Sequence, residues 1–404
     1  MKIRSLLLGS IAAAGLSTAG YAADLGVVTS LDVCDELGLS GLTISSDDNC
    51  LVITGGVTFE YKIGDYAGGP AYTTFDRAGG TYTVDAADGI IESNSGDVDA
   101  WLKFVATSNS DFGPATATIK LISENNTGTA DWTVGIDEAW VGIGDTTMLM
   151  AGYKGSIFND GDDAPLNYLG LFNSSNVDAG VGFSAANARG GNVIQLVHNL
   201  GNGLSIGGGV EDLGSTGVSL LTGVGVLAYA GDGVSAHVSG SIDTVGLYNV
   251  HAGYKGTWDP ITVVGAVAAN NGWWNALGSV QGSFDMFKLA VSGEATSTGE
   301  WGIGGSVSAT VTEGVTVNLG SRYFDATVDP DVWQAELGIS AAATESITVT
   351  AAIGAVGNTV DPTVVYGKAG LAWAPGGGFT SSIEGKAQSN GAYSAVFKAA
   401  KTIK

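Results

Sequence analysis

The chain has 404 residues, of which 64 are Gly and 7 Pro, with 45% hydrophobic and only 14% charged residues and a mean hydropathy of +0.24. Gly is about twice and charge about half the usual share of a soluble domain (~7% and ~25%); the lack of a Gly-X-Y period excludes collagen, and the apolar content excludes wholesale disorder. Lys plus Arg number 16 against 40 Asp plus Glu, for a net charge of -24 and a pI near 4.1, so no nucleic-acid partner is expected, since phosphate binding needs a basic footprint.

The first segment reads as an address. Lys2 and Arg4 precede an uncharged apolar run from Leu6 to Ala19, and Gly20-Tyr21-Ala22-Ala23 follows with small residues. This is the pattern of a secretory signal peptide over residues 1–23. Its removal takes two basic charges and leaves 14 minus 40, or -26. The exported chain then begins with a segment, 24–50, that carries both cysteines, Cys34 and Cys50. In an oxidising space one disulfide closing a short loop is the natural pairing, with two unpaired structural thiols as the alternative.

From residue 51 the signal is period 2. Leu51, Ile53, Gly55, Val57, Phe59, Tyr61 and Ile63 form an apolar face against Val52, Thr54, Gly56, Thr58, Glu60, Lys62 and Gly64. That is a strand of membrane-crossing length with a different solvent on each side. The pattern returns with Val98, Ala100, Leu102, Phe104 and Ala106 against Asp97, Asp99, Trp101, Lys103 and Val105, then with Ala115, Ala117, Ile119 and Leu121 against Thr116, Thr118 and Lys120. Further segments include 261–269, 288–296, 315–324 and 380–387. Residues 213–231 are uncharged and long enough to span as a helix, but five glycines, each costing up to ~1 kcal/mol in a helix, and an alternating pattern favour a strand there.

Short turn signals separate the segments: Gly144-Asp145-Thr146, Gly201-Asn202-Gly203, Gly231-Asp232-Gly233, Asp259-Pro260, Thr312-Glu313-Gly314 and Pro375-Gly376-Gly377-Gly378. Longer polar stretches at 65–96 and 154–190 alternate with them, as in the wiring of an outer-membrane barrel. Trp258, Phe284, Phe287, Trp373 and Phe379 sit beside turns, where an interfacial aromatic girdle would lie. The expected fold is therefore an all-β transmembrane antiparallel barrel over 51–404. A literal count of alternating segments gives about 20 strands.

The stretches from Leu31 to Gly38 and from Cys50 to Val57 resemble the alphaproteobacterial general porins, which pair two such cysteines ahead of the first barrel strand. Ala139-Trp140-Val141-Gly142-Ile143-Gly144 through Ala151-Gly152-Tyr153-Lys154-Gly155-Ser156-Ile157-Phe158 resembles the strand pair leading into that family's constriction loop. The hairpin from Asn192 to Gly208 resembles the pair after it. The resemblance implies a trimeric, water-filled diffusion pore of 16 strands in a Gram-negative outer membrane, with lipid, lipopolysaccharide and the barrel assembly machinery as partners. It also implies an inward-folded loop at about 154–190, carrying Asp160, Asp162 and Asp163 opposite a basic wall of Lys62, Lys103 and Lys120. The chain ends in Thr402-Ile403-Lys404, not in the family's usual aromatic residue.

Other chemistry is weak. Gly203-Leu204-Ser205-Ile206-Gly207 fits a nucleophile elbow but opens a strand with no helix after it, so no enzyme is expected. His198, His237 and His251 lack metal-ligand spacing. The three loop aspartates could take Ca2+ but have no EF-hand spacing, and no other cofactor is expected. A passive, modestly cation-preferring porin is the expected function; a secreted β-solenoid adhesin is the alternative, although no fixed-period repeat is present.

Overall fold

The computed structural model describes residues 33–34, 37–46, 48–66, 68, 84–126, 133–159, 164–170, 189–214, 221–327 and 330–403. The signal-peptide segment and the acidic triplet Asp160, Asp162 and Asp163 lie outside them.

The described chain is nearly all strand. A short β1 (Leu42–Ser45) precedes β2 (Cys50–Asp65), β3 (Glu92–Ser108), β4 (Ala115–Asn126), β5 (Thr133–Gly144), β6 (Thr147–Lys154) and β7 (Gly191–Gly201). Then come β8 (Leu204–Glu211), β9 (Thr222–Gly231), β10 (Val234–Asp243), β11 (Tyr248–Trp258), β12 (Ile261–Asn270), β13 (Trp273–Phe284) and β14 (Phe287–Thr296). The last are β15 (Trp301–Thr312), β16 (Val315–Asp325), β17 (Val332–Ala342), β18 (Ile347–Asn358), β19 (Val364–Gly376), β20 (Phe379–Gln388) and β21 (Tyr393–Ile403). The candidate helical span therefore supplies strand β9 instead, and no described helix is long and apolar enough to cross a membrane.

Each strand from β2 to β21 pairs antiparallel with the next, and β2 pairs with β21, so 20 strands close into a barrel. Closure satisfies every ladder without an edge, which an apolar surround demands. The literal count of alternating segments matches this wall; the 16 strands implied by the resemblance do not. A sheet closed on itself is also not a solenoid. β2 divides one edge between two segments: Gly55 to Asp65 pair with β21, and Cys50 to Ile53 pair with β1. Thus β1 continues the line of β21 past its end.

The two barrel ends differ. At the end where β2 begins and β21 ends, connections are mostly two residues, such as Asn202-Gly203 and Asp232-Gly233. Their φ values, 51° and 80°, 53° and 76°, are all positive, as the type I′ hairpin requires. The other end carries the long connections 66–91, 155–190 and 212–221.

Alternation then sorts the side chains. Val57, Ile119, Val238, Leu319, Ile353 and Ile383 are exposed on the outer surface. Aromatic residues bound this apolar band at both ends: Trp258, Phe284, Phe287 and Trp373 at the short-turn end, and Tyr248, Trp274, Trp301 and Tyr393 at the other. The second girdle is missing from the sequence reading, although Asn271-Gly272 before Trp274 and Asn390-Gly391 before Tyr393 are turn signals that mark it. Burial lies inside the barrel, in one cluster of Val264, Ala266, Ala268 and Leu277 and another of Val84, Val332, Val356, Val364 and Tyr366.

Candidate functional site

The connection between β6 and β7 runs along the inner wall. Ile157 N donates to Glu211 Oε1 on β8 at 3.1 Å and Asn159 N to Ser239 Oγ on β10 at 2.9 Å. Leu166 N donates to Ser279 Oγ on β13 and Tyr168 N to Ser306 Oγ on β15, both at 2.9 Å. Leu169 O accepts from Arg322 Nη1 on β16 at 2.8 Å. These partners lie on β8, β10, β13, β15 and β16 in turn, so the described residues 157–159 and 166–169 cross successive strands. Leu166 packs on the Val264 cluster as it passes. The loop drawn at about 154–190 thus enters the lumen through its described residues.

Its far end is held by a polar network. Tyr168 OH donates to Glu336 Oε1 at 2.8 Å, Tyr366 OH donates to Glu336 Oε2 at 2.6 Å, and Lys368 Nζ pairs with Glu336 Oε2 at 2.8 Å. Gln334 joins Tyr366 to Arg322, donating through Nε2 to the tyrosine hydroxyl at 2.7 Å and accepting from Arg322 Nε at 2.8 Å. Glycines make the trough beneath. A Cβ on Gly320 would stand 3.0 Å from a Tyr168 ring carbon and 3.1 Å from Leu169 Cγ, and one on Gly338 would collide with the Tyr168 hydroxyl. Burial, then the negative charge of Glu336, pushes the Tyr168 hydroxyl well above the ordinary tyrosine range, so it stays a donor.

A second connection, between β2 and β3, also reaches inward. Val84 is buried in the cluster formed by β17, β18 and β19. Beside it, the Asp85 carboxylate meets Lys386 Nζ at 2.7 Å and Gln388 Nε2 at 3.1 Å, while Asn390 Nδ2 donates to Asp85 O at 2.7 Å. The strap returns to its own strand where Asp88 N and Gly89 N donate to the Asp65 carboxylate at 2.8 and 2.9 Å.

The wall from β2 to β6 is more open. Lys62, Lys103 and Lys120 lie on its inward face, opposite to the exposed Phe59, Leu102 and Ile119. Lys103 is paired with Glu138 at 3.3 Å and Lys120 with Asp137 at 2.7 Å. Lys62 lies over the Tyr66 ring at 3.6 Å and Lys120 over Trp101 at 5.9 Å. Sequence reading missed Lys154 over Trp140 at 5.2 Å and Lys398, which pairs with Glu60 at 2.6 Å. It also missed Lys368 and Lys386; inward parity on the late strands was the available signal.

Cys34 and Cys50 form a disulfide. The two-thiol alternative falls away. Ser205 sits in β8, which runs on as strand into a hairpin with β9. The histidines that looked isolated are not all so: the β10 to β11 register stacks His237 on His251, with Nε2 and Nδ1 2.9 Å apart.

No known family model matches this chain, and no curated protein does. Solved structures do. The chain is similar to OccAB3 of Acinetobacter baumannii at 11% identity and a TM-score of 0.50, covering 87% of this chain and 98% of that one. It is similar to OccK2 (OpdF) of Pseudomonas aeruginosa, solved in complex with glucuronate, at 8% identity and a TM-score of 0.50 over 87% and 98%. A mutant of Rhodobacter blastica porin aligns at 14% identity and a TM-score of 0.40 over 87% and 99%. At such identities likeness carries the fold alone: this chain is a multi-pass transmembrane β-barrel with the architecture of outer-membrane porins.

Proposed function

We propose that the chain is a non-enzymatic porin of a Gram-negative outer membrane, a water-filled channel for passive diffusion of small hydrophilic solutes and ions, related to the alphaproteobacterial general porins. The observation that carries this reading is the division of the wall: an apolar outer face between two aromatic girdles, and an inner face with paired charges on one side and an inward loop along the other. Single-channel conductance of the purified protein in planar bilayers tests it. Discrete, ohmic steps are expected, and an absence of ion current would end the reading.

A modest cation preference is the finer part. A unit charge ~8 Å from a passing ion in water-like dielectric is worth about 0.5 kcal/mol. Lys103, Lys120, Lys368, Lys386 and Lys398 each face a carboxylate partner, so the basic wall is largely offset and the acidic surplus of the chain decides. Asp160, Asp162 and Asp163 add to that surplus in the loop. Reversal potentials under a KCl gradient test the sign, and changing all three to Asn should reduce the preference. Anion preference in the native pore would refute the charge argument. A homotrimer, embedded in lipid and lipopolysaccharide and inserted by the barrel assembly machinery, is the assembly that goes with this reading; cross-linking in native membranes would show the trimer.

A further inference from the structure

Asp85 is held as a ligand would be. Lys386 and Gln388 stand two residues apart on the inward face of β20, and both give their donors to one oxygen, Asp85 Oδ2, at 2.7 and 3.1 Å. Lys368 is the cross-strand neighbour of Lys386, and Lys62 on β2 lies within electrostatic reach of Asp85 and Lys386. The strap that presents Asp85 is fastened without it. Val84 is buried in the apolar cluster on one side, Asp65 holds the amides of Asp88 and Gly89 on the other, and Asn390 holds the Asp85 carbonyl, not the carboxylate. An ion pair that is not needed to hold its segment is free to exchange. We propose that Lys386 and Gln388 form a carboxylate-binding site at the loop-bearing end of the lumen, filled by Asp85 in the resting protein, and that a small dissolved carboxylate exchanges with Asp85 there.

The tether sets the competition. A side chain held by a short segment acts at an effective concentration of order millimolar or more, so a free carboxylate displaces Asp85 only at comparable or higher concentration. Removing the Asp85 charge opens the site. The lumen gives access, so the proposal rests on the channel reading.

The test uses succinate as probe and its uncharged diamide, succinamide, as control, on the full chain in planar bilayers. With Asp85→Asn, succinate should interrupt the current at about tenfold lower concentration than in the native pore, and Lys386→Met added to Asp85→Asn should abolish that gain. Succinamide should do nothing in any variant. Block unchanged by Asp85→Asn, or equal block by succinamide, would overturn the site; equal block by inorganic phosphate would overturn the carboxylate assignment. Lys386→Gln, which keeps a hydrogen-bond donor, serves as the second variant if Lys386→Met fails to assemble. Absent conductance would refute the channel, not the site. In that case calorimetry on detergent-solubilised protein decides: heat with succinate for Asp85→Asn but not for the double variant supports the site, and no heat for either overturns it.

Discussion

The inner wall of the barrel has two halves that solve different problems. From β2 to β6 many inward residues are charged or aromatic and half-buried, among them Glu60, Lys62, Asp97, Asp99, Trp101, Lys103, Lys120 and Glu138. From β8 to β15 most are small or neutral hydrogen-bonding groups and are buried, among them Thr222, Ser239, Ser241, Asn249, His251, Ala268, Asn275, Ser279 and Ser292, with the buried carboxylates of Glu211, Asp243 and Glu294 as the charged exceptions. Both halves are inward faces of strands with identical geometry. What differs is the neighbour. A wall that faces water can solvate charge at little cost, whereas a wall that faces another stretch of chain must offer acceptors to its backbone amides. A serine hydroxyl does that without bulk, and three of them, on β10, β13 and β15, each take one amide of the crossing loop.

The comparison breaks most completely at Glu336. This buried carboxylate takes Tyr168, Tyr366 and Lys368 together, and hydrogen bonds to a charged group contribute ~1.5–3 kcal/mol each. Glu336→Ala should cost the loop anchor about 3 kcal/mol, raising its detached population about 150-fold. Larger and noisier single-channel current, with new protease cleavage near residues 164–170, is the expected result. A quiet pore of native conductance would show that the anchor does not hold the loop.

Serine removal is milder and sharper. Ser239→Ala, Ser279→Ala and Ser306→Ala should each cost ~1 kcal/mol of anchoring, and because the three lie on well-separated strands their effects should add. Thr58→Ala on the open wall, also an inward hydroxyl, should leave current noise unchanged. Equal effects at Thr58 and Ser279 would erase the distinction between the halves.

Alkali should loosen the crossing loop. Because the Tyr168 hydroxyl is held above its ordinary range, the folded loop binds a proton that the released loop loses more readily. Its contribution is complete below the ordinary tyrosine value, ~10, and is lost as pH rises beyond it. Current noise should therefore grow above about pH 10 and Tyr168→Phe should remove that dependence. On the open half, Lys103→Ala and Lys120→Ala each delete one inward cation worth about 0.5 kcal/mol to a passing ion; the reversal potential should move toward cations, less so in high salt.

The sequence carries the wall and not what leans on it. Leu51 through Ile63 announce a strand between two solvents because the alternation is local, and the same local logic puts Lys62, Lys103 and Lys120 on one side and yields about 20 segments. The loop contacts have no local trace. Asn159 and Ser239 are 80 residues apart, Tyr168 and Ser306 are 138, and Asp85 and Lys386 are 301. In the sequence Ser239, Ser279 and Ser306 are merely polar positions in alternating strands, equal to any other, because their partner is a backbone amide that every residue has. His237 and His251 likewise become neighbours only through the register of β10 with β11.

The smallest effect on the pore is expected at the disulfide, which lies on the open half but at its short-turn end. Cys34 is tied to Cys50, the first residue of β2, and the bond holds the segment whose β1 pairs with only Cys50 to Ile53. The rest of that edge of β2, from Gly55 to Asp65, is already paired with β21, and the full opposite edge with β3. Closing a loop of this length, 16 residues of separation, stabilises by about 3 kcal/mol in the chain-entropy view. That contribution falls on β1 alone, since no ladder that closes the barrel passes through it. Cys34→Ser should speed amide exchange at Leu42 to Ser45 and at the β1-facing amides of Cys50 to Ile53, while heat-modified mobility, conductance and the alkaline response stay native. A barrel that fails to close in Cys34→Ser would mean that β1 is laid down before β21 reaches β2, and the seam, not either half of the wall, would then be the part of the molecule most sensitive to change.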